Sequence, residues 1–478
     1  MDRARTKIVA TIGPATRSYD QIRDLIRAGM SVARLNFSHG SHEEHREVVN
    51  RIRAAADELG MAVAILQDLQ GPKIRTGKLL NNAPVTLKSG QKFTITNRPI
   101  EGTDTEVSTT YTPLPHDVRS GDRILLCDGL IELRVIESNE TDVLTRVVNG
   151  GVLNNSQGIN LPGVNVSAPA VTEKDYEDLL FGMEMEVDYI ALSFVRTARD
   201  IEMLKTMIAA KGKRIPIIAK IEKPEALDHI DAILAVADGI MVARGDLGVE
   251  LPPEKVPLVQ KELIRAANAR AIPVITATQM LESMIYNPRP TRAEASDVAN
   301  AILDGSDAVM LSGETARGAY PIEAVAMMTS IALEIEGRTP TRLGHEMPAD
   351  FAPASIDAGP QAVGAAINAI ARTLSVKSVW VYTQQRGNTT RLIASYRPRI
   401  PVLAFTPHRH LHRKMALLWG VEPIMIDPVT TIDELSTQAR SLSEYRGIVR
   451  SGDTVVITSS YPFNKHGESN FLRIFSLD

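Results

Sequence analysis

A (β/α)8 TIM barrel, interrupted by a small antiparallel β-barrel insert and followed by a separate α/β domain, is the fold class this sequence predicts. Three observations carry the prediction. Eight short, apolar, β-branched runs end in polar residues, most of them are separated by stretches of helical periodicity, and one gap switches to a period of two.

The runs are KIVATIGP (7–14), VARLNFS (32–38), AVAILQDL (62–69), YIALSFV (189–195), IPIIAKIE (215–222), GIMVARGD (239–246), PVITATQM (273–280) and AVMLSG (308–313). Near-continuous apolar strands alternating with helices such as YDQIRDLIRAG (19–29) define a parallel sheet buried on both faces. Eight units favour a closed barrel over an open doubly wound sheet, and no G-x-G-x-x-G follows the first run. Between the third and fourth runs, stretches such as VTLKSGQKFTITN and GDRILLCDGLIELRVIES alternate and are punctuated by Gly, Asn and Asp. Residues 72–169 are therefore expected to form the insert, placed on the barrel's catalytic face as a lid, with 1–71 and 170–340 forming the barrel. TRLGHEMPADFAPASIDAGP (341–360) has the composition of a linker. Beyond it VKSVWVYT, IPVLAFT, VEPIMI and DTVVITSS are strands of a third domain, assigned to 341–478.

Composition narrows the function. The 478 residues are 44% hydrophobic and 23% charged, ordinary for a globular chain. With 53 basic against 57 acidic residues, the net charge of −4 offers no electrostatic case for nucleic acid. No apolar run is long enough to span a membrane, and MDRARTKIVATIGP lacks the pattern of a signal peptide. A lone cysteine, Cys127, allows no internal disulfide, so the expected setting is cytoplasmic.

In such barrels, polar residues at strand C-termini are usually catalytic. Here they are Arg34, Asn36 and Ser38 on the second run, Asp68 on the third, Lys220 and Glu222 on the fifth, Arg244 and Asp246 on the sixth, Thr278 on the seventh, and Ser312 and Glu314 on the eighth. Residues i and i+2 share a side of a strand, so Lys220 and Glu222 point together, as should Arg244 and Asp246. Two neighbouring carboxylates, Glu222 and Asp246, without a His/Cys cluster, suit Mg2+ (or Mn2+) rather than zinc. The competing reading makes these residues buried salt bridges; their common placement at strand ends weighs against it. Arg34, Lys73, Arg75, Lys220 and Arg244 would ring the metal with positive charge, which is what a phosphoryl group in transfer requires.

The segments TKIVATIGPATRS, GMSVARLNFSHG, GPKIRTG, GINLPG, AKIEKPEAL, DGIMVARGDLGVE, PVITATQMLESMIYNPRPTRAEASDVANA and DGSDAVMLSGETARGAYP resemble pyruvate kinase over nearly the whole chain. The resemblance implies transfer of the phosphoryl group of phosphoenolpyruvate to ADP, giving ATP and pyruvate. It casts Glu222 and Asp246 as the Mg2+ ligands, Lys220 as the cation on the phosphoryl group in flight, and Arg34 as its partner on the transferred phosphate. Gly245, Asp246 and Thr278 match contacts to the substrate carboxylate, and the enolate is protonated near Thr278 and Ser312. Asn36, Phe37, Ser38, His39 and Arg75 match the nucleotide side. For Ser38 a helix cap is the competing reading, and for His39 a surface imidazole. Thr291-Arg-Ala-Glu294 reads better as a helix-capping box, and QMLESMIY as core or subunit contact.

Many pyruvate kinases read D-T-K-G-P-E where this chain reads Asp68-Leu-Gln-Gly-Pro-Lys73, and hold K+ with the equivalents of Asn36, Ser38 and Asp68. Leu69, Gln70 and Lys73 depart from that pattern. The resemblance to a subgroup carrying Lys at this turn implies that Lys73 substitutes for K+, which is then not required. NNSQ, before GINLPG, stands where many relatives carry a basic residue. After VWVYT, Thr383, Gly387, Asn388, Thr389 and Thr390 resemble an effector loop for a sugar phosphate or nucleotide, with Arg391 and Lys465 as helpers; an ordinary capped helix is the alternative. Relatives are usually homotetramers. The rival readings are a metal-dependent pyruvate-enolate aldolase or lyase, and a catalytically silent sugar-phosphate sensor.

Overall fold

The computed structural model describes residues 4–338, 358–384, 386–463 and 469–477. Eight parallel strands close into a barrel: β1 (Lys7–Thr11), β2 (Met30–Asn36), β3 (Ala64–Asp68), β4 (Tyr189–Leu192), β5 (Ile217–Ile221), β6 (Gly239–Ala243), β7 (Val274–Ala277) and β8 (Ala308–Leu311). Neighbours in the barrel are neighbours in sequence, and β8 closes onto β1 with Lys7 opposite Ala308.

The apolar runs are continuous because both faces of each strand are buried. Val9 and Leu66 point into the barrel, packed with Ile218, Met241 and Ile275. Their neighbours Ile8, Ala10 and Ile65 point outward, against the surrounding helices. Several of those helices begin with reciprocal caps, as at Ser41 with Glu44 and Thr172 with Asp175. Thr291 and Glu294 form the capping box read from the sequence. In the turn before it, Met280, Leu281, Met284 and Ile285 are buried in the core, while Tyr286 is exposed.

The insert forms a six-stranded sheet and a two-stranded ribbon around a core that includes Phe93, Leu133 and Val147. Antiparallel alternation is the expectation, and one pair departs from it: Lys92–Thr96 runs parallel to Glu106–Ser108. The connecting segment 97–105 crosses over instead of turning back as a hairpin.

The C-terminal domain has a five-stranded sheet in the order Val421–Met425, Val402–Thr406, Val376–Tyr382, Thr454–Ser459, Phe471–Ser476. The last strand is antiparallel and has no counterpart among the four read from the sequence. Most of the linker stretch lies outside the described residues, and its end, from Ala358, already belongs to a helix running to Thr373.

This domain stoppers the N-terminal mouth of the barrel. Ala416 and Leu417 join the barrel's interior cluster, and Tyr189 Oη donates to the Lys414 carbonyl at 2.7 Å. Asp188, 1% exposed, is the polar centre of the contact. Its carboxylate accepts from Arg53 at 2.8 Å, from the Ile65 N–H at 2.8 Å, and from Arg413 of the C-terminal domain at 3.1 Å. Asp188→Asn leaves two largely buried guanidinium groups without their anion, so urea titration is expected to show a loss of about 3–5 kcal/mol. With that mouth closed, the opposite rim is left for chemistry.

Candidate active site

At the C-terminal rim, charges from three strands, β2, β3 and β5, come together. The β2–β3 register sets Asn36 opposite Asp68, so Arg34, two residues back on the same side, reaches the Asp68 carboxylate. Arg34 Nε donates to Asp68 Oδ2 at 2.7 Å, and another of its nitrogens donates to Thr11 Oγ1 at 2.9 Å. Lys220 Nζ lies 3.3 Å from Asp68 Oδ1 and 2.9 Å from Glu222 Oε1, and donates to Ser193 Oγ at 2.7 Å. Glu222 Oε2 accepts the Phe194 N–H at 2.8 Å.

These groups are almost wholly buried, which sets their protonation. Burial alone would raise Asp68, but the Lys220 and Arg34 charges outweigh it and hold the carboxyl below its ordinary value. Burial would strip Lys220 of its proton, yet Asp68 and Glu222 overcome this and raise it above an ordinary lysine. Glu222 goes the other way: burial raises it, Lys220 opposes, and Asp246 raises it further. A buried carboxylate, Glu222, whose charge the neighbouring Asp246 disfavours is one that a divalent cation beside both would satisfy. The pair would supply two ligands rather than a cage, which fits magnesium's habit of filling its shell with water and substrate oxygens.

The sixth-strand reading needs correction. β6 ends at Ala243, and Arg244–Glu250 is a helix, so Arg244 and Asp246 do not follow strand parity. Arg244 leaves the predicted cationic ring: it is bound to Asp297 at 2.7 Å and to the Thr278 carbonyl at 2.8 Å. Glu314 is likewise structural, fully buried and accepting the N–H groups of Leu281 and Ser312.

Thr278 has φ of +72°, a conformation costly for a β-branched residue and concentrated at functional sites. That backbone turns its hydroxyl toward the rim, where Oγ1 accepts the Gly245 N–H at 2.7 Å. Gly245, half-buried Asp246 and Thr278 therefore form one edge of the site.

On the other edge, residues 36–39 form a tightly held loop. Asn36 Oδ1 accepts the Ser38 N–H at 3.1 Å, and Phe37 donates its N–H to the Asp68 carbonyl at 3.0 Å. Lys174 donates to the Phe37 carbonyl, His45 binds the His39 carbonyl at 2.9 Å, and the His45 ring stacks on Phe37. Ser38 is not a cap; Ser41 caps the following helix. The His39 imidazole is pushed down by burial and then by Arg75, Lys73 and Arg34, which places those three cations around it. Arg75 bonds the Ser156 carbonyl of the insert at 3.3 Å. Lys73 is exposed, while Leu69 is buried and its carbonyl accepts from Ser193 Oγ at 2.7 Å.

The residues expected around an effector loop are far from this rim. Gly387, at φ +71°, precedes the helix Asn388–Ser395, and Thr383 donates its N–H to the Phe405 carbonyl at 3.0 Å. Thr389 Oγ1 meets Ser469 Oγ at 2.5 Å, and the buried Thr390 Oγ1 has no partner among the described residues. Arg391 does not assist the loop: helical spacing turns it toward the barrel, where its electrostatic neighbours are Asp238 and Tyr189. Lys465 lies outside the described residues.

Strand-end reading missed Thr11, at the end of β1, and Ser193, just past β4. Applied to those two runs, the same rule finds both. Phe194 contributes only a backbone N–H, at φ +55°, for which a phenylalanine in the sequence is no signal.

A closed parallel barrel with two carboxylates and fixed cations at its C-terminal rim belongs to the barrel enzymes that act on anionic substrates. Comparison with known proteins narrows this class. Family models for the pyruvate kinase barrel domain and the pyruvate kinase alpha/beta domain match residues 3–325 and 361–475. Pyruvate kinase 2 of Synechocystis sp. is 49% identical over 473 residues, covering 98% of this chain and 79% of that protein. The Geobacillus stearothermophilus pyruvate kinase is 48% identical over 474 residues, covering 98% and 80%. The crystal structure of a pyruvate kinase from Cryptosporidium parvum superposes with a TM-score of 0.92 at 36% identity, covering 100% of this chain and 96% of that one. The chain belongs to the pyruvate kinase family and is a phosphotransferase. Among the described residues, no helix is long and apolar enough to cross a membrane.

Proposed function

We propose that this enzyme moves the phosphoryl group of phosphoenolpyruvate to ADP at the rim described above, with Mg2+ held by Glu222 and Asp246. The observation that carries the reading is the Lys220 ammonium, buried between Asp68 and Glu222 and held protonated by both. When bound, the metal neutralises charge on substrate oxygens. Lys220 and Arg34 supply fixed positive charge to the phosphoryl group as its charge spreads, and their carboxylate partner Asp68 holds both in place. The Gly245 N–H, held by Thr278 Oγ1 in the free protein, and the Thr278 hydroxyl, which donates to the Ala277 carbonyl, are donors for the substrate carboxylate. The loop Asn36, Phe37, Ser38 and His39, with Arg75, receives the nucleotide phosphates, and the insert (72–169) acts as a lid on the barrel (1–71 and 170–340). ATP and pyruvate leave as products.

Potassium is not required in this reading. Of the residues that would form a monovalent-cation pocket, Asn36, Ser38, Asp68 and Leu69, the one carboxylate is already engaged on both oxygens by Arg34 and Lys220. The Lys73 ammonium, close enough to His39 to lower its imidazole, adds positive potential to this loop and repels a second cation. An assay coupled to lactate dehydrogenase, with phosphoenolpyruvate and ADP in tetramethylammonium buffer, tests both points. Turnover is expected to require added Mg2+ and to change little with KCl. A large potassium stimulation overturns the second point, and turnover in chelator overturns the first.

The C-terminal domain (341–478) is assigned to regulation by a sugar phosphate or nucleotide at Thr383 and 387–390. The support is the glycine-led helix start and the hydroxyl of Thr390, which has no partner among the described residues. A homotetramer and a cytoplasmic setting complete the proposal, with the family likeness as their support.

A further inference from the structure

A third carboxylate ties the metal pair to the insert. Lys223, directly after Glu222, pairs with Glu250, the last residue of the helix that carries Asp246. The pair is nearly closed to solvent, with side-chain exposures of 14% and 1%. Lys223 Nζ also lies 6.0 Å from the ring centre of Phe194, the residue whose N–H binds Glu222. The same Glu250 oxygen, Oε1, accepts from Asn160 Nδ2 at 3.2 Å, and Asn160 ends the insert's strand Ile159–Asn160. The same parts also approach each other at Gly129, a hairpin tip of the insert, where an added Cβ would lie 3.7 Å from Val249 Cγ1. Glu250 Oε2 is buried and has no hydrogen-bond partner among the described residues.

A buried carboxylate is costly unless its partners stay in place. The partners of Glu250 come from the Glu222 segment and from the insert, while Glu250 itself rides on the Asp246 helix. Withdrawing either partner leaves an anion with an already orphaned oxygen less compensated, so the three segments are energetically coupled.

We propose that Glu250 is a positioning residue that couples docking of the insert to the spacing of Glu222 and Asp246. The proposal rests on reading those two as metal ligands. Mn2+ titration of the free, full-length protein followed by electron paramagnetic resonance, together with amide hydrogen exchange of the insert, tests it. E250Q is expected to weaken Mn2+ binding about tenfold, the effect usual for groups that orient metal ligands. It should also raise exchange around residues 158–164. K223M should weaken Mn2+ binding equally, while K223R, which keeps the charge pair, should not. N160A, which removes one of the two partners of Glu250, should raise exchange in the insert and weaken Mn2+ binding by a smaller factor than E250Q. Wild-type Mn2+ affinity in both E250Q and K223M overturns the proposal, as does weakened binding with unchanged exchange in E250Q. A loss of thermal stability alone, with both readouts unmoved, also overturns it. E222Q serves as the control: Mn2+ bound normally by that variant overturns the metal reading itself, and this coupling with it.

Discussion

Replacing Lys220 by methionine is expected to cut kcat by about 10³-fold or more, the range measured for removal of a cation aimed at a transferring phosphoryl group. The loss has two sources. The ammonium that meets charge developing on the phosphoryl oxygens disappears. Glu222 also loses its nearest cation, so burial and Asp246 are opposed only by the Phe194 N–H and its carboxyl rises further. Metal binding in the variant then weakens at a higher pH than in the parent. Asp68 keeps Arg34 at 2.7 Å, so the fold survives with a lower Tm. K220R, which restores a positive charge, should recover part of the activity. Steady-state kinetics with saturating substrates, alongside thermal melts, make the measurement. A methionine variant within tenfold of the parent would remove Lys220 from the chemistry.

Glu222→Gln separates activity from stability. Loss of one of two metal ligands removes several kcal/mol of charge stabilisation, about 10³-fold in turnover. The metal-free protein should not suffer. The Glu222 carboxyl is raised above its ordinary value, meaning that the buried anion is disfavoured in the folded state. Its contribution to stability is therefore full below the unfolded value and lost as pH rises through the folded one. A neutral amide escapes that loss, so the metal-free Tm at pH 7 is expected to be unchanged or higher. Asp68 has the opposite sign: its depressed carboxyl stabilises the fold above the unfolded value, and this is lost as pH falls through the folded one. Melting curves from pH 2 to pH 8 for parent and variant check both signs, the Asp68 loss falling below its ordinary carboxylate value. A variant of Glu222 that melts far below the parent while keeping its turnover would make the residue structural.

Much of the rim was legible because strand chemistry is local. A period of two sets Lys220 beside Glu222, and the structure has them in contact at 2.9 Å. Thr291 and Glu294 were readable for the same reason, since a cap is completed within one turn. Arg244 misled because the strand stops one residue before it. The rule of alternation was applied to a residue already in a helix, where Asp297, far away in sequence, captures the guanidinium. Ser193 was passed over although it carries the same strand-end signature as its neighbours. Arg391 was assigned by nearness in sequence to a loop, while the helix turns it to the opposite side.

The sequence by itself determined the eight-unit barrel, the interruption after the third strand, and the charged residues at the strand ends. Each of these depends on periodicity and composition within a short window, where burial and backbone geometry act on every residue alike. Only the tertiary structure decided which charges meet. Asp68 joins Arg34 and Lys220, Asp188 joins Arg53 and Arg413, and Glu250 joins Lys223 and Asn160. Such pairings link residues up to 225 positions apart. The partner of a buried charge is chosen by the low-dielectric space that packing leaves around it, and no local pattern records that space.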